Sequence, residues 1–507
     1  MADTITKNQR IAQNTLMLYV RMLLIMAVTL YTSRIVLDKL GVEDFGIYNL
    51  VAGIVVLFSF VNNAMATATQ RFLNFELGKK NLHEVKRIFS MSMTAHISIS
   101  LLVLFLAETI GVWFLLSEMN IPNNRMEAAV WCYQFSILIA CVQIIRVPYN
   151  SCIIAYERMS FYAYLSILEV GFNLLIAFLL TMTNCDRLIL YSFLMFIVAV
   201  FISGVYKIVC NRYFVISKYT FFWDYALYKK IISFSGWSLL GSTANVGVQQ
   251  GLNILLNIFY GVTLNAAMGI ANQVSRAVYN FVSNFQIAFN PQIIKSYASG
   301  DYVYFERLIF KASRYSYFLL FLVSLPVLLN SEFLLSVWLK DVPEYAVTFS
   351  QLIICFLLID ALSAPLWISA QAMGRIRNYQ LLMSGIILLN LPLGYIVLNL
   401  GMRPEMVLVI RVIINFLAWI FRVLYLRSSI SFPVRKYLKE VFLVVLVITV
   451  ISIPLPFWIS LVYSSWKGLI MTTVFSVLTT IFAIFLIGLE KNEKTYIMNF
   501  IQSKLKK

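Results

Sequence analysis

The sequence predicts an all-α polytopic membrane protein: about fourteen transmembrane helices, built as two six-helix repeats followed by a C-terminal pair. Three observations lead there. First, 61% of the 507 residues are hydrophobic and 12% charged, whereas soluble proteins run at roughly half apolar and a quarter charged. Second, apolar runs such as Leu101–Leu106, Ile137–Ile145, Leu188–Val205 and Val441–Ile453 lie in segments of at least the ~20 residues that a bilayer-crossing helix needs. Third, the chain repeats itself. Pro148, Ala155, Arg158, Tyr162 and Asn173 recur as Pro365, Ala372, Arg375, Tyr379 and Asn390, all at one offset (365 − 148 = 217). Gly41-Val42 and Arg87 recur as Gly261-Val262 and Arg307 at a second (261 − 41 = 220).

The predicted segments fall at 12–37, 45–68, 88–116, 128–153, 161–183, 188–210, 232–258, 265–290, 312–337, 345–371, 379–399, 405–427, 439–462 and 467–489. The first is not expected to be a cleaved signal peptide, because it is long, carries Arg21 and Arg34, and lacks a small-residue cleavage site. The repeat divides the chain into an N-terminal lobe (1–215), a C-terminal lobe (216–428) and a terminal appendix (429–507) with no counterpart in the duplication. The join at Asn211–Lys230 is rich in aromatic and basic residues, as expected of chain lying along a membrane interface. Loops elsewhere are short, leaving no soluble domain for nucleotide binding or glycosyl transfer.

The net charge of +17 has a topological reading. Basic residues collect in alternate loops, among them Lys79, Lys80, Lys86 and Arg87, then Arg212, Lys218, Lys229 and Lys230, then Lys295 and Arg307, then Arg435, Lys436 and Lys439. That asymmetry obeys the positive-inside rule and places both termini in the cytoplasm; no nucleic-acid partner is needed to explain it. The six cysteines show no CxxC or metal-like spacing and read as small buried hydrophobes. The two histidines, His83 and His96, have no ligand partners at metal-site spacing. No Walker A motif, GxSxG elbow or HExxH helix is present. A membrane bundle without cofactor or metal is expected, with its chemistry inside the helices and transport coupled, if at all, to H⁺ or Na⁺.

A charge in the hydrocarbon costs about 2.5–3.5 kcal/mol on insertion scales and therefore faces a cavity or a partner. Five arginines qualify by depth: Arg21, Arg34, Arg146, Arg276 and Arg411. Arg276 is the deepest, at least about eleven residues from either end of its segment, and too far in to snorkel comfortably at 1.5 Å per residue. It belongs to a stripe of Asn265, Asn272, Arg276, Tyr279, Ser283 and Asn290 on roughly one helical face. Arg146 precedes Pro148 within reach of the interface, Arg34 stands one turn from Asp38 and can pair with it, and Arg411 lies near the outer end. Three acids, Glu108, Glu169 and Asp360, are candidates either for ion coupling, since burial raises a carboxylate's pKa, or for charge partners of the arginines. In segment 232–258, Gly236, Gly241, Gly247 and Gly251 interleave with Asn245, Gln249, Asn253 and Asn257. Small residues allow close helix approach, and the amides give a neutral hydrogen-bonding stripe. An interior with more arginines than acids suits an anion, because guanidinium groups bind phosphate bidentately and stay charged. Amides and tyrosines alongside suit hydroxyl-rich groups.

The helix Asn14–Arg34, followed by Leu40-Gly41-Val42-Glu43-Asp44-Phe45-Gly46-Ile47-Tyr48, and the Pro148…Ala155-Tyr156-Glu157-Arg158 segment resemble the polysaccharide-transporter group of oligosaccharide-lipid flippases. That group belongs to the superfamily holding the MATE exporters and the lipid II flippase. The resemblance covers nearly the whole chain. It implies two six-helix lobes forming a V, a cationic central cavity, alternating access, and an undecaprenyl-pyrophosphate-linked oligosaccharide as substrate. It further implies the bacterial inner membrane, surface-polysaccharide biosynthesis, and a polysaccharide polymerase and other assembly proteins as partners beside membrane lipids. Arg21 or Arg34, and Arg276, match the family's cavity arginines by helix. Two alternatives stay open: a cation-coupled MATE-like multidrug exporter, for which an acidic or aromatic cavity is expected, and a membrane glycosyltransferase or polymerase, for which a long outer loop is expected.

Overall fold

The computed structural model describes residues 2–56, 59–117, 121–182, 185–339, 341–463, 465–491, 493–495 and 498. Among them the chain is helical throughout, with no strand. In order the helices are α1 Ala2–Val56, α2 Ser59–Gly78, α3 Leu82–Ser117, α4 Asn123–Ala155, α5 Met159–Leu179, α6 Arg187–Tyr213, α7 Tyr225–Tyr260 and α8 Val262–Ala298. Then follow α9 Tyr302–Leu329, the short α10 Ser331–Trp338, α11 Ala346–Ala372, α12 Arg377–Asn399, α13 Met406–Ile430, α14 Val434–Val462 and α15 Trp466–Gly488.

Among the described residues, eleven helical spans are long and apolar enough to cross a bilayer, which makes this a multi-pass membrane protein. The other three predicted segments are helical as well. Segment 45–68 comprises the C-terminal end of α1, from residue 45 to 56, and the start of α2, with residues 57 and 58 outside the described residues; the other two are α7 and α8. In α7 and α8, amides, serines and glycines dilute the apolar character, so length and composition alone pass them over. A membrane helix that gives up apolar surface in this way needs protein or water beside it, since lipid satisfies no polar group.

The duplication is written into the backbone. Gly41 and Gly261 both take positive φ, 79° and 77°, and at Gly41 the long α1 breaks into two directions. Lys80 and Gly300 share the left-handed region (58° and 74°), one residue before α3 and α9 are capped. Those caps also match: the Asn81 side chain accepts from the Glu84 N–H, and the Asp301 side chain from the Tyr304 N–H, each satisfying one orphan donor of a helix start. Glu157 and Gly374, 217 apart, again take positive φ (58° and 82°) after α4 and α11 end. Sequence identity between the repeats is confined to a few residues, yet at these three turns a positive-φ residue recurs at the matching position.

Gly300 and Gly374 bear different loads. A side chain at either requires left-handed backbone, at a cost of roughly 1–2 kcal/mol. A methyl group at Gly300 would meet open space, whereas at Gly374 it would collide with the Arg71 guanidinium. Gly374→Ala is expected to lower thermal stability about twice as much as Gly300→Ala, measured by thermal unfolding of the solubilised protein.

The chain folds as two compact units. Unit 1 takes residues up to Thr243 together with Ile287–Gly300 and Gln371–Gln380. Its core is built on Phe72, Phe89, Tyr149, Ile231 and Phe234, with Ile376 contributed by the turn after α11. A second cluster of Ile47, Leu115, Tyr133 and Leu188 closes the other end. Unit 2 takes Ala244–Gln286, Asp301–Ala370 and the chain from Leu381 onward, around Leu252, Leu256, Met268, Phe349 and Leu398. Cys132, Cys141, Cys152 and Cys210 are buried free thiols in unit 1.

The end of the described chain is tied to α9. Glu493 accepts from Lys311 (2.7 Å), Tyr315 (2.6 Å) and the Glu490 N–H (2.8 Å), while Glu490 pairs with Lys311 (3.2 Å) and Arg314 (3.3 Å). Burial pushes the Glu493 carboxyl up, but the bonds from Lys311, Tyr315 and the backbone outweigh it and hold the group below its ordinary value. A depressed carboxylate stabilises the folded contact above the unfolded pKa, near 4.5, and that contribution is lost as pH falls through the folded value. Hydrogen exchange in 490–495, corrected for intrinsic rates, is expected to rise as pH drops below about 4.5, and Glu493→Gln to remove the pH dependence.

Candidate functional site within the membrane

In unit 2, helical spacing aligns the predicted polar residues of α7 and α8. Gln249 Nε2 lies 3.5 Å from Asn272 Oδ1, joining the two helices through their amides. Asn245 stands one turn from Gln249 on α7, and Arg276 one turn from Asn272 on α8, both exposed. Fourteen residues separate Arg276 from the start of α8, about 21 Å along the axis. At that depth Arg276 forms no ion pair among the described residues. An uncompensated guanidinium inside a membrane needs a wet path or an anion.

A second set lines the seam between α11 and α13, also in unit 2. Asn415 Nδ2 donates to the Phe356 carbonyl (3.0 Å). One to two turns further along, Arg422 donates to Ser363 Oγ and lies 3.8 Å from Asp360 Oδ1. Arg411, at the other end of the same α13 face, rests its guanidinium 4.5 Å from the Phe356 ring, with Nη1 buried and unpartnered. The seam therefore holds two guanidinium groups and one carboxylate.

Unit 1 sorts its charges differently. Arg146 is neutralised by Glu169 (3.1 Å) and sits 5.2 Å from the Tyr206 ring. Arg21 lies against Tyr162, 3.3 Å from its hydroxyl and 4.4 Å from the ring centre, with Nε buried and unpartnered. Arg34 is exposed; the pairing with Asp38 considered from their spacing is superseded by Lys39, which holds Asp38 at 2.8 Å. Glu108 is exposed and accepts from Gln134 (3.0 Å). It sits in a π-helical turn, Ala107–Gly111, whose Ala107 carbonyl accepts from the Val112 N–H and also from the Tyr133 hydroxyl (2.9 Å). Of the three acids, then, Glu169 and Asp360 are charge partners of arginines and Glu108 is not.

No family model and no curated relative matches this sequence. Solved structures do. An outward-facing multidrug-resistance MATE-family transporter of the MOP superfamily superposes with a TM-score of 0.71 at 14% identity, covering 82% of this chain and 95% of that one. MATE in its bent conformation gives 0.72 at 14% identity, over 85% and 96% of the two chains. A MOP-superfamily transporter from Pyrococcus furiosus, described by a reversed polarity of its binding pocket, gives 0.68 at 14% identity, over 83% and 96%. The chain has a MATE-like transporter fold. The MATE-like architecture implied by the sequence resemblance is thereby shown, and this chain carries segments beyond those that superpose.

Within this fold several residues emerge that sequence reasoning passed over. Arg422 completes the Asp360 seam; its spacing from Arg411 and Asn415 on one helical face was the available signal. Arg71, 4% exposed, turned out to be fully engaged near the end of α2. Asp44 of the Gly41–Tyr48 motif is explained structurally: Arg125 bridges it (2.6 Å) to Asp186 (2.5 Å), stapling α1, α4 and α6 together. Burial pushes the Asp186 carboxyl up, but Arg125 and the first N–H groups of α6 outweigh it and hold it below the ordinary carboxylate range.

Proposed function

We propose that the protein is a flippase that moves an undecaprenyl-pyrophosphate-linked oligosaccharide across a bacterial inner membrane by alternating access, for surface-polysaccharide biosynthesis. It acts as a transporter and not as an enzyme, with both termini in the cytoplasm, the repeats 1–215 and 216–428 as its two lobes, and 429–507 as the added pair. The observation that carries this reading is Arg276: deep in α8, exposed, without an ion pair among the described residues, and one turn from the Gln249–Asn272 amides. Such a group suits a pyrophosphate, which guanidinium binds bidentately, while neighbouring amides suit sugar hydroxyls. Arg21, Arg34 and Arg411 extend the cationic character, and Asn245 the amide stripe; Arg146 serves the path only when released from Glu169. Asp360, Glu169 and Glu108 are the candidates for coupling to H⁺ or Na⁺. In a strain whose surface glycan depends on the gene, Arg276→Ala is expected to abolish that glycan, and undiminished glycan removes Arg276 from the path.

A second reading is cation-coupled multidrug export. The likeness to a multidrug-resistance transporter favours it, and the arginine excess opposes it. Binding of organic cations by the purified protein, without binding of prenyl-pyrophosphate glycan, would reverse the order.

A further inference from the structure

Unit 2 holds another charged site, at the end where α9 and α14 begin and α15 stops. One face of α9 presents Glu306, Arg307 and Arg314, α14 presents Lys436 and Glu440 one turn apart, and Glu490 follows α15; together they enclose a cavity of about 250 Å³ over the ring of Phe310. Most of these charges are matched. Lys436 pairs with Glu306 at 2.8 Å, and Glu490 with Lys311 and Arg314 at 3.2 and 3.3 Å. Arg307 and Glu440 are not: both are exposed, and neither forms an ion pair among the described residues. Behind them Arg314, 7% exposed, keeps its Nε–H buried and unpartnered.

The duplication supplies an internal control. Arg87 is the counterpart of Arg307, and it is closed off by Glu84 at 2.7 Å and Asp224 at 2.8 Å. In the second repeat Tyr304 stands where Glu84 stood. The second copy has kept the cation and lost the carboxylate at the Glu84 position, and a cavity lies beside it.

We infer that this cavity binds the headgroup of an aminophospholipid. The phosphate sits on Arg307 with the spare Arg314 N–H behind it, and the primary ammonium sits on Glu440, the Phe310 ring being already faced by the Lys436 ammonium at 5.5 Å. One zwitterion satisfies both unmatched charges at once. A glycerol headgroup brings no cation for Glu440, and a choline brings one with no N–H to donate. Leu438, Leu443 and Leu446, exposed on α14 within two turns of Glu440, offer apolar surface to the acyl chains. The site is separate from the proposed transport path and stands whether or not the cargo is a glycan lipid.

Native mass spectrometry of the full-length protein, with phosphatidylethanolamine, phosphatidylglycerol and phosphatidylcholine in equal amounts, tests the assignment. The native protein is expected to retain phosphatidylethanolamine at least tenfold over the others. Arg307→Gln is expected to lose that retention. Glu440→Gln, an exposed change that spares the fold, is expected to lose the preference over phosphatidylglycerol, and Lys439→Gln outside the cavity to change neither. Soluble phosphoethanolamine is expected to displace the lipid, which identifies the headgroup as the recognised part. Equal retention of phosphatidylglycerol by the native protein, an effect of Lys439→Gln equal to that of Arg307→Gln, or no displacement by phosphoethanolamine would overturn the inference.

Discussion

Arg71→Ala is expected to lower the unfolding free energy of the solubilised protein by about 3–5 kcal/mol, the range for breaking a buried, hydrogen-bonded charge arrangement. Arg71 reaches from α2 to the end of α11, where the last carbonyls of a helix have no intrahelical partner. Its Nε donates to the Gln371 carbonyl (3.2 Å) and its Nη2 to the Ala372 carbonyl (3.0 Å). A cation there also opposes the negative end of the helix dipole. The guanidinium is packed against the rings of Phe75 and Phe72, at 4.5 and 4.8 Å. Truncation takes the Arg71 donor from the Ala372 carbonyl, leaves the Gln371 carbonyl with only the Gly374 N–H (3.0 Å), and opens a void among aromatic side chains. Arg71→Lys keeps the charge but not the fork, and is expected to lose about half as much. Arg87→Ala, at a half-exposed pair, is the control and should cost less than about 1 kcal/mol. A melting temperature for Arg71→Ala within error of the Arg87→Ala value would refute this account of how α11 ends.

Asp360→Ala is the second large effect. It removes the carboxylate 3.8 Å from Arg422 and leaves two guanidinium groups in the α11–α13 seam without a counter-charge. Asp360 is partly accessible, so the expected loss is about 2–3 kcal/mol, below the full penalty for stripping a buried charge of its partner. Arg422→Leu added to Asp360→Ala should restore part of it, because one of the two stranded charges is then gone while Arg411 remains. A double mutant that is merely the sum of its parts would show that the two groups do not interact. Asp360→Asn also separates the two roles left open for this acid. If Asp360 serves ion coupling, transport by Asp360→Asn persists but no longer responds to a proton or sodium gradient.

Much of the fold could be read from the sequence because it rests on two simple periodicities: the length of apolar runs and the spacing of the duplication. The Gly41/Gly261 and Asn81/Asp301 correspondences show why, since turns and caps restrict residue choice even where helix surfaces have diverged. The polar stripe of α7 and α8 was likewise legible, because its amides recur at helical spacing. Pairing across helices was not. Nothing in the sequence says that Glu169 faces Arg146, that Lys39 rather than Arg34 takes Asp38, or that Arg125 joins Asp44 to Asp186, because each depends on which faces the packing brings together. Arg71 escaped notice for a related reason: its partners are backbone carbonyls three hundred residues away, which carry no sequence signal.

The central claim is that deep, uncompensated arginine carries a pyrophosphate across the membrane. Its most direct test is transbilayer movement of a short polyprenyl-pyrophosphate-linked glycan in proteoliposomes containing the purified full chain. The native protein is predicted to move the lipid, Arg276→Ala to lose at least about tenfold of the rate, equivalent to one bidentate contact of about 1.4 kcal/mol or more, and Arg276→Lys to recover part of it. Movement by Arg276→Ala at the native rate, or no movement by the native protein while it exports organic cations, would contradict the claim.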